Sequence, residues 1–474
     1  LGVACQCGHL AVVKALLSCG SAVRAATKDG STPLLVACRG GHVDIVRELL
    51  AHGAEMDCVV GSKWSPLHEA SQGGISDLVR ELLRAGGHPS SATSNGVTPL
   101  LLAAECADPD VAQLLLDAGA PVDAKTVDGR TPLLAAVACD NVRVARLLLN
   151  RGASVHVANA GGQTPLLFAS QQCQVELVRE LLGRGASVDA VERHGWTALY
   201  CASSLGHWEV VRLLLAHGAS VDRASEKQRT PLWIASMHGH QDVARELLAH
   251  GATVDAANNV GSTPLYVASQ RGHLSVVHLL LDYGAKVSGA SKSGSSPLGV
   301  ASQLGHVGVV KALLRQGADM HACTTGGDTA VTVACYFGQL GVVRELLRHG
   351  AAPEAIVRGW RGRENESAIN LLALRVLVWL VDGSVKETVA TVPPGVGLAL
   401  AESCVLRREL VALRRLRDCV RPLVDPGRRG ERGRMFGESL LRLLPWHVAV
   451  EMLRFVVLAP VRREWGREEF VRGS

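Results

Sequence analysis

Aromatic residues are scarce in this chain of 474 residues: Phe, Tyr and Trp make up 4% of it, against 47% hydrophobic residues overall. A core with so few rings must come from Leu, Ala and Val, which suits tightly packed helices and excludes the bulky core of a large enzyme. Paired cysteines are missing too. The 13 Cys are odd in number and none forms a Cys-x-x-Cys pair, so reduced thiols are expected in place of a disulfide framework. The most hydrophobic run, Ala368–Val381, is too short to span a bilayer and carries Arg375 in its middle. No signal peptide is visible. A cytoplasmic location is expected, with the nucleus as the other reducing compartment.

Catalytic signatures are also lacking. The sequence holds no GxxxxGK[ST] phosphate loop, no GxSxG elbow, no HExxH and no kinase-like HRD or DFG set. The Gly stretches GGQTPLL and GVGLAL have no strand-loop-helix context. Neither an enzyme nor a cofactor is expected.

What the chain does have is a period. Thr32-Pro33 is followed by Ser65-Pro66, Thr98-Pro99, Thr131-Pro132, Thr164-Pro165, Thr197-Ala198, Thr230-Pro231, Thr263-Pro264, Ser296-Pro297 and Thr329-Ala330, each 33 residues on with no insertion. Units that stack on their neighbours tolerate no slippage, so this strictness signals a repeat array. Each unit reads as helix, turn, helix, loop. The Thr is placed to cap the first helix, and Pro occupies the first helical position, where its missing N–H costs nothing. An Ala follows in every copy, from Ala37 to Ala334, where only a small side chain lets two helices approach. Gly-His pairs such as Gly41-His42 and Gly206-His207 turn the chain. A Leu-Leu pair ends the second helix, and a Gly three residues later suits the left-handed conformation that stops it. The polar remainder of each unit is expected to project as a hairpin-like finger.

These features resemble the ankyrin repeat, with its T-P-L-H-x-A, G-H and L-L-x-x-G-A pattern. The resemblance implies an all-α, right-handed solenoid over residues 1–352, with ten complete repeats and one partial repeat. The His of the TPLH motif survives only as His68; Leu35, Leu134, Tyr200, Trp233, Tyr266, Gly299 and Thr332 are among its replacements. Packing is therefore expected to hold most of these helices, and Tyr200, Trp233 and Tyr266 are read as core. Leu1 aligns with Leu34, so the sequence is expected to be a fragment of a longer protein or to carry a misassigned start. The turn Gly is replaced in three successive units by Ala107, Asp140 and Cys173. Residues 98–180 are accordingly expected to exchange amide protons faster than residues 197–320, although Asp108-Pro109 offers a rebuilt helix start there.

The resemblance also implies that partners bind at the finger tips and the exposed side of the first helices, which line a concave face. By phase, the outward positions include Lys28, Asp29, Arg39, Trp64 and Gln72 early, and Lys292, Gln303 and Asp328 late. The candidate contact residues are Arg193, Trp196, Lys227, Arg229, Met237, His238, Gln270, Arg271, Tyr336 and Phe337, with His194 beside them. Arg and Trp are over-represented in interface hot spots, and the mixture suits an acidic or amphipathic peptide. Ordinary solvated surface is the competing reading. Seventeen of the 18 His fall within residues 1–356, but most of the recurrent ones take one position per repeat. Cys5, Cys7 and His9 lack a second ligand pair, so no metal site is expected.

Charge separates the remainder of the chain. Residues 1–356 hold 28 Lys/Arg against 30 Asp/Glu, whereas residues 357–474 hold 21 against 14. A connector over 353–366 and a helical unit over 367–474 are expected, the helix Ala368–Val381 capping the array. Between Arg407 and Arg434 stand ten Arg and four acids. Arg407, Arg408, Arg414 and Arg415 lie off the apolar stripe of a helix there, where nucleic acid or an anionic membrane surface competes with a solvated face. Without a ring between Trp379 and Phe436, stacking on single-stranded bases is disfavoured. Leu444–Val456 weakly resembles the opening of an F-box, which implies a ubiquitin-ligase adaptor as a further alternative. The expectation taken forward is a monomeric, non-catalytic scaffold or adaptor that binds one or more proteins.

Overall fold

The computed structural model describes residues 1–351 apart from 28–29, 57–63 and 107. The connector 353–366, the unit 367–474 with its four Arg candidates and Leu444–Val456, and Lys28, Asp29 and Ala107 lie outside the described residues. Those described form twenty-two helices and no extended strand, an all-α repeat architecture. They divide into two compact units, one ending at Asn259 and the other beginning at Val260.

In the first unit the short first helices pack on one another in chain order, from Gly2–Gln6 and Pro33–Arg39 through to Pro231–His238. The second helices, such as Val142–Asn150 and Val175–Gly183, form a layer behind them. The second unit repeats this with Pro264–Arg271, Pro297–Leu304 and Ala330–Tyr336, backed by Leu274–Asp282, Val307–Arg315 and Leu340–Arg348.

The capping Thr behaves as its chemistry requires. Thr131 Oγ1 accepts from the Leu134 N–H at 3.3 Å, Thr197 from Tyr200 at 3.1 Å and Thr230 from Trp233 at 3.2 Å. His68 adds a polar bridge. Its Nδ1 accepts from the Ser65 N–H at 3.1 Å, which leaves Nε2 to donate to the Val97 carbonyl at 3.0 Å and fixes the neutral tautomer. Thr332, another polar residue at this position, turns its hydroxyl onto Thr329 O at 2.8 Å within its own helix.

The small-residue column is fully enclosed, every Ala from Ala37 to Ala334 having 0% exposure. The Gly closing each second helix is left-handed, as at Gly218 with φ 82°. Asp140 and Cys173 adopt the same hand at the first turn, φ 61° and 58°, without the relief of glycine. Asp108 departs from the pattern and caps Pro109–Asp117 with its own carboxylate, accepting from Asp110 N at 2.9 Å.

The turn His does more than turn the chain. His42 Nε2 lies 3.1 Å from Gln6 O, His207 Nε2 3.0 Å from Gln171 O and His240 Nε2 3.0 Å from Ser204 O, so each ring bonds a carbonyl of the preceding repeat. Where His is replaced, Asn141 reaches Ala104 O at 2.7 Å and Gln174 reaches Val137 O at 3.3 Å. In the second unit Gln339 reaches Gln303 O at 3.2 Å. The side chain varies but the long donor to a main-chain carbonyl persists.

Candidate partner-binding face

Among the described residues the fingers are tight hairpins closed by turn hydrogen bonds. In one of them Thr93 N donates to Val97 O at 2.9 Å and Gly96 N to Thr93 O at 2.9 Å. Successive fingers are joined by one main-chain bond each: Val127 N to Asn95 O, Ala160 N to Asp128 O, Arg193 N to Gly161 O, Glu226 N to His194 O and Asn259 N to Lys227 O, at 2.8–3.3 Å. Acids at the finger base add a second link, as where Asp189 accepts from Ser220 N at 3.0 Å and Asp222 from Thr253 N at 3.0 Å. The tips are therefore carried on a fixed frame.

On this frame the first unit presents most of the candidate residues. Arg193, His194 and Lys227 are exposed at the tips, Arg229 is half-buried, and Trp196 keeps 39% of its surface. Met237 and His238 close the helix Pro231–His238, the former half-buried and the latter exposed, with the His238 ring 6.0 Å from that of His240. The second unit carries the others. Gln270 is half-buried and Arg271 exposed, while Tyr336 and Phe337 meet edge to face at 5.1 Å and stay 59% and 49% exposed.

Two candidates are drawn together by residues read from the sequence as core. Tyr200 and Trp233 are each 4% exposed, and each forms the floor under a finger side chain four residues earlier. Trp196 stacks on Tyr200 at 5.7 Å with the planes 22° apart, and the Arg229 guanidinium lies 4.6 Å above the Trp233 ring. Trp64 and His68 repeat the relation at 5.3 Å. Tyr266 is half-buried. Burial raises the Tyr200 pKa, opposed by the Arg229 charge and by hydrogen bonds from Arg229 and Ser225. The spacing of these pairs was legible, and its significance rests on the buried partner being a ring. His68 is likewise shifted, its pKa lowered by burial against the opposing Val97 hydrogen bond.

Among the described residues no group of three or more His, Cys, Asp or Glu is placed to hold a metal ion. No described helix is long and apolar enough to cross a membrane. The ten described Cys are free thiols.

No curated protein matches the chain. The family model for ankyrin repeats, itself three copies long, matches residues 1–91, 67–159, 154–225, 220–290 and 287–357. These ranges run together from the first residue to 357 of 474, and they fall on the helix pairs, caps and fingers described above. On that coverage the chain belongs to the ankyrin repeat family.

Proposed function

We propose that the protein is a non-catalytic interaction scaffold or adaptor that binds segments of other proteins on its finger tips and first-helix ends. A role in protein–protein interaction follows from the family in general. Its location in the unit ending at Asn259 is supported by one observation: Trp196, with 39% of its surface open to solvent, is held flat on buried Tyr200 beside Arg229 on Trp233. Interface hot spots favour these residue types, and side chains already fixed by stacking lose little conformational entropy on binding. Arg193, Lys227, Met237 and His238 would frame the contact. Half-buried Gln270 and exposed Arg271, Tyr336 and Phe337 form a separate set for partners of the second unit.

The test is affinity capture with the full chain, its Trp196→Ala variant, and an Arg80→Ala control on a second helix, which among the described residues pairs only with Asp77 at 2.7 Å. Proteins recovered by wild type and control but lost with Trp196→Ala support the assignment. An unchanged set with Trp196→Ala would sink it.

A further inference from the structure

The finger position of Arg229 recurs three repeats earlier as Arg130, and the two arginines have different surroundings. Arg130 reaches the Glu105 carboxylate at 2.5 Å, with Glu105 25 residues before it on the preceding first helix. The residue 25 before Arg229 is Ser204. No described carboxylate pairs with Arg229, and its Nε is buried without a hydrogen-bond partner. The guanidinium instead lies 4.6 Å above the Trp233 ring, with its charge close to Tyr200. An arginine stacked in this way is weakly hydrated and pre-oriented, the state in which its fork best receives a carboxylate.

The nearby acids do not fill the role. Glu192 accepts from His194 N at 2.7 Å and Trp196 N at 3.4 Å, so its own turn occupies it. Asp189 and Asp222 serve the finger bases. Glu226 stands exposed at the tip beside Lys227. Arg193, Arg223 and Lys227, all exposed, make no ion pair among the described residues. Among the described residues Arg229 is thus left without an acid partner of its own, next to the open face of Trp196.

We propose that Arg229 is the carboxylate receptor of this face: an acidic side chain of a bound peptide takes the place that Glu105 fills for Arg130, while an apolar neighbour of that acid lies on Trp196. The partner is then an acidic segment with a Leu or aromatic residue beside its Asp or Glu. This rests on the protein-binding reading above and adds to it the chemistry that is recognised.

The test selects a randomised peptide library on the full chain, then synthesises an enriched peptide with its acid and with the matching amide. The acid form is expected to bind wild type about tenfold more tightly, the order of a charge-assisted hydrogen bond. Arg229→Gln should erase that preference. Ser204→Glu, which supplies the carboxylate from within the chain, should erase it too while retaining Trp196-dependent binding. Equal affinity of acid and amide for wild type, or a preference that survives Arg229→Gln, overturns the proposal. Should peptides bind in a Trp196-dependent manner with no preference for acid, the carboxylate receptor falls and the protein-binding reading stands. If no peptide is enriched, both fall.

Discussion

Of the three described non-glycine residues with left-handed backbone, Gln228 lies in a finger and the other two hold the turn between paired helices, where their replacement should have unequal effects. Cys173 has φ 58° and Asp140 φ 61°. Left-handed geometry costs an L-residue about 1–2 kcal/mol. Glycine relieves that strain but adds about 0.5–1 kcal/mol of unfolded-state freedom. Cys173→Gly should therefore gain about 0.5–1 kcal/mol. Asp140→Gly gains the same backbone term and loses the bond from Gln174 Nε2 to Asp140 Oδ1 at 2.7 Å, about 1 kcal/mol, so its net effect should be near zero or slightly negative. A single melting temperature is a poor readout for a stack whose stability is summed over neighbours. Native-state hydrogen exchange over Pro165–Gln171 and Val175–Gly183 is the suitable assay. Cys173→Gly should raise protection there about two- to fivefold. If Asp140→Gly protects as strongly, or if Cys173→Gly protects less than wild type, the strain argument fails.

Other outcomes follow from single groups. The Ser203 and Ser236 hydroxyls are buried without partners, so Ser203→Ala and Ser236→Ala should each raise the urea midpoint, by up to about 1 kcal/mol of stability. Burial lowers the His68 pKa, so the fold favours its neutral form. That stability is present above about pH 6.5 and lost as pH falls through the lowered folded value; His68→Leu should flatten this acid limb in urea titrations. Burial pushes the Cys201 thiol up to about 11 and Cys335 to about 12, so in mass-mapped alkylation both should stay unmodified under native conditions while exposed Cys139 and Cys323 react. Amides of residues 98–180 should exchange faster than those of 197–320. Equal protection would show that Asp108, Asn141 and Gln174 fully replace the glycine-histidine turn.

The sequence made the repeat legible because its determinants act over a few residues. A Thr three positions before an N–H, an Ala wherever helices touch and a Gly where φ must be positive leave the same mark in each unit. Links between repeats were harder to see. His207 reads locally as a turn residue, yet its acceptor, Gln171 O, lies 36 residues away. The ability of Asn141 and Gln174 to substitute for it depends on reach and not on residue class. The candidate face was legible as a list of outward phases. The feature that distinguishes Arg229 from Arg130, a carboxylate at 105 and a hydroxyl at 204, required knowing that residues 25 apart face each other.

The bonds joining the fingers also bear on how freely this surface can change. Val127, Ala160, Arg193, Glu226 and Asn259 occupy the donor position at successive tips, and each contributes its main-chain N–H to the frame. Apolar, small, cationic, anionic and amide side chains thus serve the same link, which by its nature excludes only proline. Architecture and recognition are separate variables at these sites. A library randomised at 193 and 226 could be searched for new partners with little risk to the fold.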